Sequence, residues 1–129
     1  MAWEGGHGIP AGADLSAKQF YCCVLDTSMD AQLSDATSAG AIGVLANRPE
    51  SGEGCKFYRP GEVGQVYAGD STIQIGEGIA SNASGQGILC DSDTLISFGM
   101  ALATAGASGE IIPFIACTPR TTDIDKVYL

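Results

Sequence analysis

The chain has 129 residues, 45% of them hydrophobic, with 18 glycines and a formal charge of −9 from 6 Lys plus Arg against 15 Asp plus Glu. That is material for one domain, on the usual ~100–200 residues per domain, and it is long enough to bury a core. The charge argues against a nucleic-acid binder, which needs a basic patch to neutralise phosphates, and against docking on an anionic membrane.

The start, Met1 to Gly8, lacks the basic residues and apolar stretch expected of a signal peptide. No apolar run reaches the ~18 residues of a spanning helix. Residues 1–14 are Gly-rich and without period, and read as an extended N-terminal arm carrying Trp3 and Ile9. A Trp in such a segment needs a partner surface to bury its area. From Leu15 the pattern tightens. Gln19 to Leu25 is apolar, aromatic and β-branched, and reads as a strand. Asp26 to Asp30 is a turn cluster, followed by a weak strand over 31–34. Strands are expected at 41–46, 55–58, 63–68 and 72–75, with 76–87 as a Gly/Ser/Asn-rich connection. Further strands are expected at 88–90, 94–98 and 110–117; Pro113 places the last on an edge or at a bulge. Residues 99–105 read as a helical turn or a strand end, and 118–129 as a polar tail. Short strands at 8–12-residue spacing predict an all-β fold. It is a small β-barrel or β-sandwich over 15–117, with at most one short helix.

Two stretches resemble each other. Ile42-Gly43-Val44-Leu45, then Ser51-Gly52-Glu53, then Cys55-Lys56-Phe57 matches Phe98-Gly99-Met100-Ala101, Ser108-Gly109-Glu110 and Ile112-Pro113-Phe114. If these are like-built corners, they predict a pseudo-two-fold barrel or sandwich.

Chemistry-bearing residues are sparse. His7 is the single histidine. The five cysteines, at 22, 23, 55, 90 and 117, include no C-x-x-C, so a zinc site has no support. Cys22, Cys55, Cys90 and Cys117 lie in or beside apolar runs, and the cysteines read as buried thiols of a protein folded in a reducing cytosol. Cys22 and Cys23, adjacent on a strand, point to opposite faces. Gly76-Glu-Gly78-Ile-Ala-Ser81 lacks the third glycine of a phosphate loop and no helix pattern follows it. The aspartates at 26, 30, 91 and 93 read as turn formers rather than calcium ligands. No G-x-S-x-G nucleophile elbow occurs. No catalytic residue, metal or cofactor is therefore expected.

Four motifs in order carry a family resemblance: Ala13-Asp-Leu-Ser-Ala-Lys-Gln-Phe-Tyr21; Ala41-Ile-Gly-Val-Leu-Ala-Asn47 with Pro49 and Gly52-Glu53; Val63-Gly-Gln-Val-Tyr-Ala-Gly69; and Phe98-Gly-Met-Ala-Leu102 with Ser108-Gly-Glu-Ile-Ile112. Together, over residues 12–116, they resemble the small head-decoration (capsid cement) proteins of tailed bacteriophages. The resemblance implies a structural virion protein without catalysis, made in the bacterial host cytoplasm. It would bind the outer surface of the major capsid protein shell across subunit boundaries. It implies copies at capsid symmetry positions as trimer, dimer or monomer, with no nucleic acid or membrane partner. Trp3, Ile9 and Leu15 are the expected arm anchors, and Phe20 the fourth candidate capsid contact. Two other readings stay open. One is a carrier module with Lys56 modified, or a protein- or glycan-binding barrel. The other is a small enzyme with a cysteine nucleophile.

Overall fold

The computed structural model describes residues 9–35, 40–91 and 95–121. Among these there are ten strands and no helix, so the fold is all-β. The first five strands are β1 (Ile9–Pro10), β2 (Cys22–Leu25), β3 (Ala31–Leu33), β4 (Ala41–Val44) and β5 (Gly54–Cys55). The second five are β6 (Val63–Tyr67), β7 (Gly78–Ser81), β8 (Gly87–Leu89), β9 (Ile96–Ala101) and β10 (Ile111–Thr121).

Each set of five closes on itself. In the second, β6-β10-β9-β7-β8 form one sheet, and a parallel bridge from Ala68 to Gly87 joins its two edges. In the first, β3-β2-β4 form one ladder and β1 pairs with β5. The Leu45–Phe57 bridge links β4 to the chain after β5, and a parallel Ala11–Ala31 bridge closes the ring. Closure removes the exposed edges that a short open sheet would present. We call the two rings barrel 1 and barrel 2.

The barrels are copies of one another, register by register. Ile9 pairs with Cys55 as Val66 pairs with Ile112, 57 residues later. Cys23 pairs with Leu33 as Ile79 pairs with Leu89, 56 residues later. Cys22–Val44 repeats as Gly78–Met100. Leu45–Phe57 repeats as Ala101–Phe114. The likeness of 42–57 to 98–114 is thus one part of a duplication that runs through the described chain.

Two glycines show why those segments look alike. A Cβ on Gly99 would lie 2.3 Å from the Ile115 carbonyl oxygen and 2.6 Å from the Phe114 ring. A Cβ on Gly43 would lie 3.3 Å from Cβ of Phe57. In both barrels a glycine lets the same phenylalanine lie against the facing backbone. The Ser-Gly-Glu turns match too. Gly52 and Gly109 have φ of +83° and +94°. Glu53 accepts the Glu50 N–H at 2.7 Å, and Glu110 accepts the Gly106 N–H.

Each barrel has its own core. Barrel 1 buries Ala11, Leu15, Cys23, Ala31, Leu45, Cys55 and Phe57. Barrel 2 buries the counterparts Ala68, Ile73, Ile79, Ala101, Ile112 and Phe114. Burying each large apolar side chain is worth roughly 1.5–3 kcal/mol. Cys22 and Cys23 do face opposite ways: Cys23 fills barrel 1, while Cys22 joins the barrel 2 cluster with Val44.

Several expectations need correction. Residues 9–14 are not arm. Ile9–Pro10 is a paired strand, and the Ala11 and Gly12 amides donate to Glu53 and Ala31. Residues 72–75 form no strand; Ile73 is a buried plug between turns. The stretch read as a connection contains β7, whose small residues fit because it pairs on both sides. It is also the segment with the partial phosphate-loop spacing, and it is strand. Pro113 is neither at an edge nor at a bulge, since β10 lies between β6 and β9. Its carbonyl accepts the Leu102 N–H, so its missing N–H faces the same side, just past the end of β9. Finally, β10 runs to Thr121, so 118–121 belong to a strand rather than a tail.

Candidate interaction surface

The barrels meet over a surface built mainly from barrel 1's outer face. Val44 and Cys22 reach the barrel 2 cluster, and the Tyr58 ring meets Phe114 edge-on at 5.8 Å. Backbone bonds lock the join. Cys22 N–H donates to Gly85 O at 2.7 Å, Tyr67 N–H to Phe20 O at 2.9 Å, and Gly61 N–H to Ala116 O at 2.8 Å.

Beside this join lies a groove of about 210 Å³. Its wall is a stacked tyrosine pair, Tyr21 of barrel 1 and Tyr67 of barrel 2, with ring centroids 4.9 Å apart and planes at 25°. The Lys18 ammonium sits 5.0 Å from the Tyr21 ring centroid, within cation–π range. Arg48 lines the groove and is exposed. Gln19 closes one side by donating to the Ala46 carbonyl at 2.8 Å. In a chain with 15 acids, this groove sets two of the six cations beside part-buried aromatic side chains. It can take an apolar group against Phe20, Tyr67 and Ile111 and a carboxylate at the cations.

Phe20 lines the same groove and is held at φ +75°. A left-handed residue with a Cβ costs roughly 1–3 kcal/mol. Two bonds hold it there: its N–H donates to Leu45 O at 2.7 Å, and its carbonyl takes the Tyr67 N–H. Its counterpart in barrel 2 is Gly76, at φ +86° with the same bond, to Ala101 O. A side chain is thus placed at the join where the duplicate carries none.

The four contacts expected from sequence have different fates. Phe20 is in the groove. Leu15 is 3% exposed within barrel 1, and Ile9 is half-buried against the same core, so both help to hold the fold. Trp3 lies outside the described residues, as does His7. Sequence reading missed Tyr21, Arg48 and Tyr67 as a group. The available signal was weak: two of only six cations, at 18 and 48, lie in the first two motifs.

The remaining chemistry is quiet. Among the described residues, no three His, Cys, Asp or Glu side chains gather as a metal site. No disulfide joins the cysteines. Burial pushes the Cys23 thiol up to about 12, with neighbouring Cys55 adding to the effect, and pushes Cys55 itself to about 11. Burial raises Cys22 further. These three thiols stay protonated at neutral pH, and the thiolate is the nucleophilic form. Lys56 is exposed, but it sits between the inward residues Cys55 and Phe57. Its carbonyl takes the Ala46 N–H, so it is on a paired segment and not at the tip of a turn. No family model, curated protein or solved structure matches the chain.

Proposed function

We propose that this protein is a structural virion protein that decorates and stabilises a tailed-phage head. It binds the outer surface of the major capsid protein shell across subunit boundaries and catalyses nothing. The observation that carries this reading is the set of four motifs in order over residues 12–116. Their signature residues are those that build the double barrel: Leu15 in a core, Gly43 and Gly99 under the two phenylalanines, and the paired Gly-Glu turns. Two physical features support it. Twin closed barrels locked by backbone bonds make a stiff body that can resist shear between shell subunits. A charge of −9 keeps free copies soluble and away from packaged nucleic acid. On the shell, the Tyr21–Tyr67 groove receives an extended acidic segment of the capsid protein, with Lys18 and Arg48 as charge partners. Many such contacts on a symmetric shell add by avidity.

Electron microscopy of phage heads with and without the protein tests this. The expected result is added density on the outer surface, over subunit boundaries. Its absence from particles overturns the reading. Arg48→Glu with Lys18→Glu is expected to lower shell occupancy, and removing residues 1–8 tests the Trp3 anchor in the same assay.

A further inference from the structure

In barrel 1, the outward residues Tyr58, Val44 and Cys22 form a row across three neighbouring strands. Tyr58 N–H donates to Val44 O at 3.2 Å, and Val44 is in register with Cys22. The row does not meet solvent. Cys22 and Val44 are 0% and 2% exposed, and Tyr58 packs with them against barrel 2.

Position for position, the duplicate row in barrel 2 is Ile115, Met100 and Gly78. Ile115 is in register with Met100, and Met100 with Gly78. Val63, in register with Ile115, lengthens it, and Pro113 is the next outward residue of β10; Ile111, beyond Pro113, lines the Tyr21–Tyr67 groove instead. This row is open. Val63 is 64% exposed and Met100 42%. It carries no charged residue, although the chain as a whole is strongly acidic. Isolated exposed apolar residues are ordinary, but a contiguous row across a sheet marks a contact surface.

We infer that this row is the self-association surface of the protein, covered by a barrel of a second copy of the same chain. Two observations choose that occupant. First, the duplication provides a precedent within the molecule: the same row, at the same register, is closed in barrel 1 by a barrel of this chain. Second, two molecules of charge −9 repel wherever acidic faces meet, and a charge-free row lets them approach. The inference stands on the duplication and not on the capsid reading. Free chains in solution test it, and shells test the other.

The experiment is sedimentation velocity of the full chain over a concentration series, in parallel with Met100→Glu, the gentler Met100→Gln, and Met29→Glu as a control on an exposed apolar residue of barrel 1. The wild type is expected to sediment above its 13.2 kDa monomer mass and approach a fixed multiple of it. Met100→Glu is expected to return it to 13.2 kDa with an unchanged thermal melt. Met100→Gln should weaken association several-fold, and Met29→Glu should leave it intact. Wild type at monomer mass throughout overturns the inference. So does wild-type association in a Met100 variant whose melt shows it folded.

Discussion

Barrels 1 and 2 share their strand registers, yet they fill their interiors differently. Where barrel 2 has Ile79 and Ile112, barrel 1 has Cys23 and Cys55; where barrel 2 has Ala101, barrel 1 has Leu45. Volume moves from one wall to the other, and each phenylalanine still meets its glycine. Cores tolerate such exchanges when total volume and pattern are kept. What cannot be exchanged is the geometry at the glycine and the phenylalanine, and those are the residues that the two halves share in sequence. The outer faces diverged further, because one is covered by its neighbour and the other is not.

The largest test of that comparison is truncation of the shared phenylalanines. Phe114 is fully buried and also carries the Tyr58 ring of the other barrel, whereas Phe57 serves barrel 1 alone. Phe→Ala changes in cores typically cost 3–5 kcal/mol. Phe114→Ala is expected near the top of that range, at about 5 kcal/mol, and Phe57→Ala near the bottom, at about 3 kcal/mol. Urea unfolding measures both, and equal losses would mean that the join adds nothing to barrel 2.

Next come the glycines. Gly99→Ala puts a methyl against a backbone oxygen, which cannot move aside, and is expected to cost about 3 kcal/mol. Gly43→Ala meets a side-chain atom at 3.3 Å, which can give, but also forces a Cβ onto a backbone held at φ +150°, and should cost about 2 kcal/mol. Smaller again is Gly76→Ala. It has open space around the new Cβ, so only the left-handed backbone conformation resists, at about 1 kcal/mol. The reverse change, Phe20→Gly, relieves the same strain at the join. Near-neutral stability with a weakened groove is expected, read by the melt and by shell binding.

Sequence carried the all-β class, the positions of most strands and the opposed facing of Cys22 and Cys23. Alternation and turn residues are local signals, and they acted locally. The duplication was legible only over 42–57 and 98–114, because only there do the glycine and phenylalanine constraints fix identity. Elsewhere equivalent positions hold Cys and Ile, or Phe20 and Gly76, and backbone register is conserved without side chains to announce it. β7 hid because a strand paired on both sides can be small and glycine-rich. The groove was illegible because Tyr21 and Tyr67 come from different barrels. Their 4.9 Å stack depends on how the two rings dock, which no local pattern encodes.

The finest difference between the barrels is one atom pair in matching hairpins. Asp26 turns the barrel 1 hairpin by accepting the N–H groups of Ser28 and Asp30, both at 2.9 Å. Asn82 does the same in barrel 2 for Ser84 and Gln86, at 2.9 and 3.0 Å. Only Asp26 can titrate. The Asp30 amide, then the Gln32 side chain, hold its carboxyl below the ordinary value of 3.8, and the Ser28 amide adds to them. A depressed folded value means the stabilisation is complete above the unfolded-state pKa. It is lost as pH falls below about 4 and through the folded value. Acid should therefore loosen the barrel 1 hairpin and spare its twin. The Ser28 and Asp30 amides are expected to lose hydrogen-exchange protection at low pH while those of Ser84 and Gln86 keep theirs, and Asp26→Asn should make the two hairpins respond alike. Equal acid sensitivity in the wild type would show that the turn geometry, and not the carboxylate, holds the barrel 1 hairpin.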